Sequence, residues 1–287
     1  MSSALLGAIV AAMLGVTVLG SGSAGNAVVI TTPDTRVLVD AGLSARQLES
    51  RIVALGLEPD SFDAIVLTHE HGDHTRGLGV FCRRRPIPIY CNRHTQRVVA
   101  ESLRDPPPWK LIESGQRFRI RSLEIDAFSV PHDAVDPMGY TFGWQGGKIA
   151  VLTDLGHAST LVLEKARGAH TIVLEANYDD ELLAHDTKRP WATKHRISSR
   201  HGHLSNAQAA EFAAQLVPDG LRRVVLAHLS RDCNSPDAAR RAFAHLPDLE
   251  IHCACQDNPT AFCTIPTAPP PPVAPTAGGP LVQGQLF

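Results

Sequence analysis

No lysine or arginine precedes Arg36, and no charged side chain follows Asp257. The first gap bears on targeting. Ala4 to Val16 is apolar enough to suggest an export signal, but it lacks the cationic start such signals carry. It is also too short and too rich in glycine to span a membrane. Residues 1–12 are therefore expected to be a non-core extension, with Met13 as a candidate working start, and no membrane association is expected. Aromatic residues are scarce, at 5%, and nothing suggests a ring-lined substrate pocket. Neither charge sign dominates: the formal net charge is −2, so global charge does not call for nucleic acid. The six cysteines (82, 91, 233, 253, 255 and 263) show no zinc-knuckle spacing. They read as reduced thiols of a cytoplasmic protein. Cys253 and Cys255 are expected to share one face of a late strand.

What is present points to one site. Residues Thr68 to His74 read T-H-E-H-G-D-H, placing His69, His71, Asp73 and His74 within one short loop. Ala64-Ile65-Val66-Leu67 precedes them, as a buried strand would, and a helix is expected to start near His74. His69 and His71, two residues apart, cannot share a helical face, so they act from extended backbone. Imidazoles joined by a carboxylate suit zinc, manganese or iron, and favour an open catalytic site over a closed structural one. The alternative is a surface histidine cluster that holds no metal.

H-E-H-G-D-H resembles the H-x-H-x-D-H signature of the metallo-β-lactamase-fold hydrolases. The resemblance implies an α/β (α+β) fold, an αβ/βα sandwich of two mixed β-sheets packed face to face with helices on the outer faces. It also implies two divalent ions, Zn2+ or Mn2+. His69, His71 and His132 would hold one, Asp73, His74 and His228 the other, and Asp154 would be shared. His132, Asp154 and His228 each follow an apolar run, as in F-S-V-P-H-D, V-L-T-D-L-G and V-V-L-A-H-L-S. Asp40, in D-A-G-L-S, is implied to brace the ligand loop rather than bind metal. The best-known true β-lactamases carry cysteine where this chain has Asp154, which disfavours antibiotic hydrolysis. Asp154 and His228 lie 74 positions apart, too close for the extra domain of the superfamily's RNA-processing members. One core over residues 13–265 is expected.

Around these residues, strands are expected at 16–19, 28–31, 37–39, 87–91, 123–130, 139–144 and 149–152. Ser44 is positioned to cap a helix running to about Leu55, with Gly56 as its stop.

Four local motifs resemble the WalJ/YycJ-type subgroup, considered 5′→3′ DNA exonucleases. They are the turn Ser21-Gly22-Ser23-Ala24-Gly25-Asn26, N-Y-D at 177–179, G-H-L-S-N at 202–206 and H-L-S-R-D-C-N at 228–234. A glycine-rich turn can aim backbone N–H groups at an anion, so Ser21, Ser23 and Asn26 are candidate substrate contacts, although a plain tight turn would look the same. Lys188 to His203 contains five Lys/Arg, three His and no acid. Lys194, Arg196 and Arg200 there are candidate contacts to a DNA backbone, against a solvated face as the alternative. Asp73 and His203 are candidate catalytic groups, His203 as a general acid or phosphate-holding residue. The resulting expectation is a dinuclear phosphodiesterase acting as a 5′→3′ DNA exonuclease in repair or replication. A thioester or lactone hydrolase and a catalytically idle metal-binding adaptor are the alternatives.

Residues 266–287 hold seven prolines between Pro266 and Pro280 and read as an extended, disordered tail. They end Gln283-Gly284-Gln285-Leu286-Phe287, which resembles the Q-x-x-L-F peptide that docks on the bacterial sliding clamp. Gln283 would hydrogen-bond at a pocket rim while Leu286 and Phe287 bury apolar surface, about 1.5–3 kcal/mol each.

Overall fold

Short runs rich in Val, Ile and Leu set the architecture of the described residues, 13–265, of this computed structural model. Six of them, β1 (Leu14–Gly20), β2 (Ala27–Thr31), β3 (Arg36–Val39), β4 (Ala64–Val66), β5 (Ile89–Cys91) and β6 (Trp109–Leu111), belong to the first sheet. The second sheet takes β7 (Arg117–Ile120), β8 (Leu123–Ser129), β9 (Met138–Trp144), β10 (Gly147–Leu152), β11 (Thr171–Glu175), β12 (Arg223–Ala227) and β13 (Glu250–Cys253). The last strand, β14 (Cys263–Ile265), returns to pair with β1, giving two seven-stranded sheets.

Both sheets are mixed. In the first, β14, β1, β2 and β3 pair antiparallel, whereas β3 through β6 run parallel. In the second, β7 through β10 are antiparallel and β10 through β13 parallel. The central parallel strands, β3, β4, β10, β11 and β12, are covered on both faces, as such strands require. Val66, Val173 and Val225 point between the sheets, while Ile65, Leu174 and Leu226 point outward under helices. Tyr140 crosses between the sheets and donates its hydroxyl to the Leu67 carbonyl at 2.6 Å, just where the ligand loop begins.

The helices cover the outer faces. Ala45–Ala54 buries Ala45, Leu48 and Ile52 on one stripe, and its N-terminus has the capping box formed by Ser44 and Gln47. Gly56 follows at φ +75°, a left-handed stop. Asn206–Leu216 buries Ala209, Ala210, Phe212, Ala213 and Leu216 against the second sheet.

Several expectations shift in detail. The strand foreseen at 87–91 begins only at Ile89, that at 123–130 ends at Ser129, and that at 139–144 starts at Met138. The helix expected near His74 spans Gly72–Thr75, so His74 lies inside it. Cys253 closes β13 and Cys255 lies beyond it, exposed, so the two do not share a strand face. All six cysteines are free. No helix among the described residues is long and apolar enough to cross a membrane. The extension at 1–12 and the tail at 266–287 lie outside the described residues.

Candidate metal centre

The chain is aimed at one edge of the sandwich. β3 delivers Asp40, β4 the loop Thr68 to His74, β10 Asp154, β11 Glu175 and β12 His228, each at or just past a strand's C-terminal end. His132 follows β8 on the same edge. Asp40, Asp154 and His228 all have left-handed backbone, at φ 60°, 55° and 56°. For non-glycine residues this costs on the order of 1–3 kcal/mol each, strain that clusters at functional sites. The sharp turn it produces swings each side chain off its strand and into the centre. Gly42 permits the closest approach: a Cβ there would lie 1.6 Å from the Asp73 carbonyl oxygen. The Asp40–Gly42 turn can therefore lock onto the ligand loop, with Ala41 N–H donating to the His74 carbonyl at 2.8 Å.

The side chains form overlapping groups whose candidate ligand atoms lie within 4.8 Å of one another. One is His69, His71 and His132; another is Asp73, His74 and His228. Asp154 belongs with His69 and His74 and also with Glu175, His203 and His228, which puts it between the first two groups. The seven expected ligand positions thus converge.

Hydrogen bonds fix how the imidazoles face. Nδ1 of His74 lies 2.8 Å from Asp40 Oδ2, Nδ1 of His132 lies 3.0 Å from the Gly202 carbonyl, and Nδ1 of His69 lies 2.9 Å from the Thr68 hydroxyl. Nδ1 of His228 lies 2.8 Å from Glu175 Oε1. Asp40 is itself anchored, accepting from Thr68 N–H and Thr68 Oγ1, both at 2.8 Å. With Nδ1 engaged, Nε2 is the atom each ring turns inward, the arrangement that orients histidine toward a cation.

Glu175 was not foreseen from the sequence. It is completely buried, accepts from Leu155 N–H at 2.8 Å and Leu204 N–H at 3.1 Å, and holds both His228 and His203 through Oε1. The N-Y-D, G-H-L-S-N and H-L-S-R-D-C-N segments meet behind it. Asn177 Nδ2 donates to the His228 carbonyl at 2.8 Å, and Asn206 and Asn234 exchange side-chain hydrogen bonds at 2.9 Å.

Electrostatics show what the centre is built to receive. Burial pushes the Asp154 carboxyl up, but the surrounding imidazoles of His228 and His74 hold it well below its usual range. Burial likewise raises Glu175, yet His203 and His228 bring it down to about 2. Burial lowers His228, but Asp154, Asp73 and Glu175 lift it to about 10. His74 is lowered by burial and carried well above its ordinary value by Asp154 and Asp40. Where no such compensation wins, burial depresses His69 and His132. The buried carboxylates demand positive charge. Three buried ring nitrogens at the centre, His69 Nε2, His132 Nε2 and His228 Nε2, have no hydrogen-bond partner, and Asp154 Oδ2 meets only His74 Nε2, at 3.0 Å. Orphaned buried acceptors of this kind are costly unless something binds them. A His/Asp donor set with free inward atoms fits divalent cations.

The comparisons with known proteins agree with this geometry. Residues 35–229 match the family described as "Beta-lactamase superfamily domain". The chain belongs to the beta-lactamase superfamily. It is 36% identical over 231 residues to "Exodeoxyribonuclease YycJ" of Bacillus anthracis, covering 80% of this chain and 87% of that one. It is 34% identical over 226 residues to "Exodeoxyribonuclease WalJ" of Streptococcus pneumoniae, covering 77% and 84%. Among solved structures, the metallo-beta-lactamase fold protein YhfI from Bacillus subtilis superposes with a TM-score of 0.66 at 18% identity, covering 86% of this chain and 99% of that one. The chain is therefore a superfamily hydrolase with the metallo-β-lactamase fold, which typically binds divalent metal, and its His/Asp clusters fit such ions.

The other candidate residues sit differently. Ser21 and Asn26 are buried and turned inward: Ser21 Oγ accepts from His228 N–H at 2.7 Å and donates to Asn26 Oδ1 at 3.0 Å. Asn26 Nδ2 lies 3.1 Å from His74 Nε2 and 3.3 Å from Asp73 Oδ2. Both brace the centre, and of the three turn residues only Ser23 faces solvent. Arg196 is on the helix Trp191–Ile197 and pairs with Asp133 at 2.5 Å, beside His132. Lys194 donates to the Ala184 carbonyl at 2.9 Å, and Arg200 contacts His157 Nε2 at 3.0 Å. His203 lies on the wall of the centre, its ring 5.2 Å from that of His132 and 5.1 Å from that of His228. Gln283, Leu286 and Phe287 lie outside the described residues.

Proposed function

We propose that this hydrolase is a metal-dependent phosphodiesterase that degrades DNA as a 5′→3′ exonuclease, in cytoplasmic repair or replication. The observation that carries the reading is the joining of the His/Asp centre to a cationic strip: the Arg196–Asp133 pair links the helix Trp191–Ile197 directly to the residue beside His132. The likeness to two proteins named exodeoxyribonucleases over most of their length supports it.

In this reading His69, His71 and His132 would hold one divalent ion and Asp73, His74 and His228 a second, with Asp154 serving both sites. Zinc and manganese both suit such donors. Divalent ions bound there would supply acidification of a water and neutralisation of phosphoryl oxygens. The protein's own groups do the rest. Asp40, Thr68, Glu175 and the Gly202 carbonyl hold the rings of His74, His69, His228 and His132 by Nδ1, so that these four need not turn during reaction. Asp73, half-buried beside His228 Nε2 at 3.5 Å, is placed to take a proton. His203 is lowered by burial but lifted above its usual value by Glu175. It can therefore approach the leaving oxygen protonated and return a proton to it. The solvent-facing Ser23 and the cations Lys194, Arg196 and Arg200 are the proposed contacts to the DNA backbone.

The same reading extends to the tail. Gln283, Leu286 and Phe287 are proposed to dock on the sliding clamp, tethering the enzyme to DNA.

The discriminating experiment offers metal-loaded protein end-labelled duplex DNA, a thioester and a lactone in separate reactions. Directional release of nucleotides is expected. Turnover of the thioester or lactone alone would make it a small-molecule hydrolase, and turnover of none would make it an adaptor.

A further inference from the structure

Trp191 is 76% exposed, more than any other large apolar side chain among the described residues. Every other described Trp, Tyr or Phe is buried or half-buried. One exposed apolar residue is ordinary by itself. This one is held in a defined attitude: its ring stacks on His195, with centroids 5.1 Å apart and planes inclined by 26°. That pairing fixes one face and leaves the other open to water.

The ring's surroundings are cationic. Lys188, Arg189, Lys194, Arg196 and Arg200 lie on its helix or immediately beside it, with no acid between positions 187 and 203. Lys188 and Arg189 pair with Asp232 and Asp186, and Arg196 with Asp133. Lys194 and Arg200 have no carboxylate partner among the described residues. The helix is also fastened to the reaction centre. Ile197 packs against Tyr178, Leu183 and Cys233, and its carbonyl accepts from His203 N–H at 2.8 Å. Gly202 lies so close that a Cβ there would meet the Arg196 and Ile197 carbonyls at 2.2 Å. Six residues at about 1.5 Å each place Trp191 roughly 9 Å along the helix from that anchor.

We propose that Trp191, backed by His195, is a stacking platform for an unpaired base of single-stranded DNA, one held while a neighbouring phosphodiester occupies the metal centre. An aromatic face flanked by cations is the general means of holding single strands without reading sequence, because every base has a π-face. The proposal rests on the nuclease reading and adds to it a strand state: a frayed or single-stranded end binds better than a blunt duplex.

The test follows Trp fluorescence and DNA turnover together, in wild type, Trp191→Ala and Trp191→Phe. A single-stranded oligonucleotide should quench wild-type emission. Trp191→Phe, which reports only Trp109 and Trp144, should show little quenching. Trp191→Ala should raise the Michaelis constant for single-stranded DNA about 5- to 150-fold, Trp191→Phe should restore most of the loss, and hydrolysis of bis(p-nitrophenyl) phosphate should be unchanged in both. If wild type degrades DNA and Trp191→Ala does so with an unchanged Michaelis constant, the platform is overturned and the nuclease reading stands. If wild type hydrolyses the small ester but neither binds nor degrades any oligonucleotide, the nuclease reading falls and the platform with it.

Discussion

Glu175 accepts hydrogen bonds from two imidazoles and two backbone amides while wholly shielded from water. Glu175→Gln keeps its shape but removes the charge that orients His203 and His228. We expect a loss of about 10- to 100-fold in activity or metal affinity, as for other groups that hold a metal-facing histidine, read from kcat and from metal titration. Glu175→Ala should also destabilise the metal-loaded protein by about 3–5 kcal/mol, because it strands buried donors, read from urea unfolding. Wild-type kinetics in the Gln variant would remove Glu175 from the account. This residue was invisible in the sequence. It ends an ordinary strand, T-I-V-L-E, and its histidine partners are 28 and 53 positions away. The residues of T-H-E-H-G-D-H were legible because four candidate donors, three His and one Asp, crowd one loop. His132, Asp154 and His228 became legible only through the resemblance and the apolar run before each. Ser21 and Asn26 mark the opposite failure. A glycine-rich turn suggested anion binding, whereas burial and the His228 N–H turn both side chains toward the protein.

At the scale of elements, the helix Trp191–Ile197 carries the substrate argument. Arg196→Ala with Arg200→Ala should raise the Michaelis constant for DNA and flatten its dependence on salt. For every phosphate no longer neutralised, the log–log slope falls by about 0.7 for single strands and 0.9 for duplex. Turnover of a small phosphodiester should be unaffected, and an unchanged salt slope would make this strip solvated surface. Arg196 must exchange Asp133 for a phosphate to contribute, so its share should be smaller than that of an unpaired cation. The capped helix Ala45–Ala54 was readable from Ser44 and Gly56, because capping chemistry is local. The edge strands β6 and β7 were not. W-K-L and R-F-R-I lie at the sheet margins with several side chains exposed, so they lack the apolar signature of the central strands. The Cys253–Cys255 pair misled because alternation suggested a strand that ends at Cys253.

For the whole molecule, the two-sheet sandwich could be anticipated because the order of ligand-bearing segments along the chain carries the superfamily's topology. Composition would have supported many α/β folds. Stability and metal should be linked: the inward Nε2 atoms of His69, His132 and His228 find no hydrogen-bond partner within the protein. Chelation is expected to abolish activity and lower the melting temperature, and at a metal concentration of 100 times Kd the stabilisation from one ion is about 2.7 kcal/mol. An unchanged melting curve after chelation would contradict this. A fluorescent peptide covering Pro275 to Phe287 is expected to bind purified sliding clamp at micromolar concentrations, and Leu286→Ala with Phe287→Ala to abolish binding. Equal binding by the double variant, or none by the natural peptide, would retire the clamp proposal. The central claim is that this His/Asp centre hydrolyses DNA. Its most direct measurement is a time course on linear DNA labelled at the 5′ or the 3′ end, with metal-loaded wild type and Asp73→Ala compared at matched circular dichroism. Wild type should release the 5′ label as short product from the earliest times and shorten the 3′-labelled strand progressively, while the folded Asp73→Ala protein releases neither. Full activity in Asp73→Ala would contradict the account.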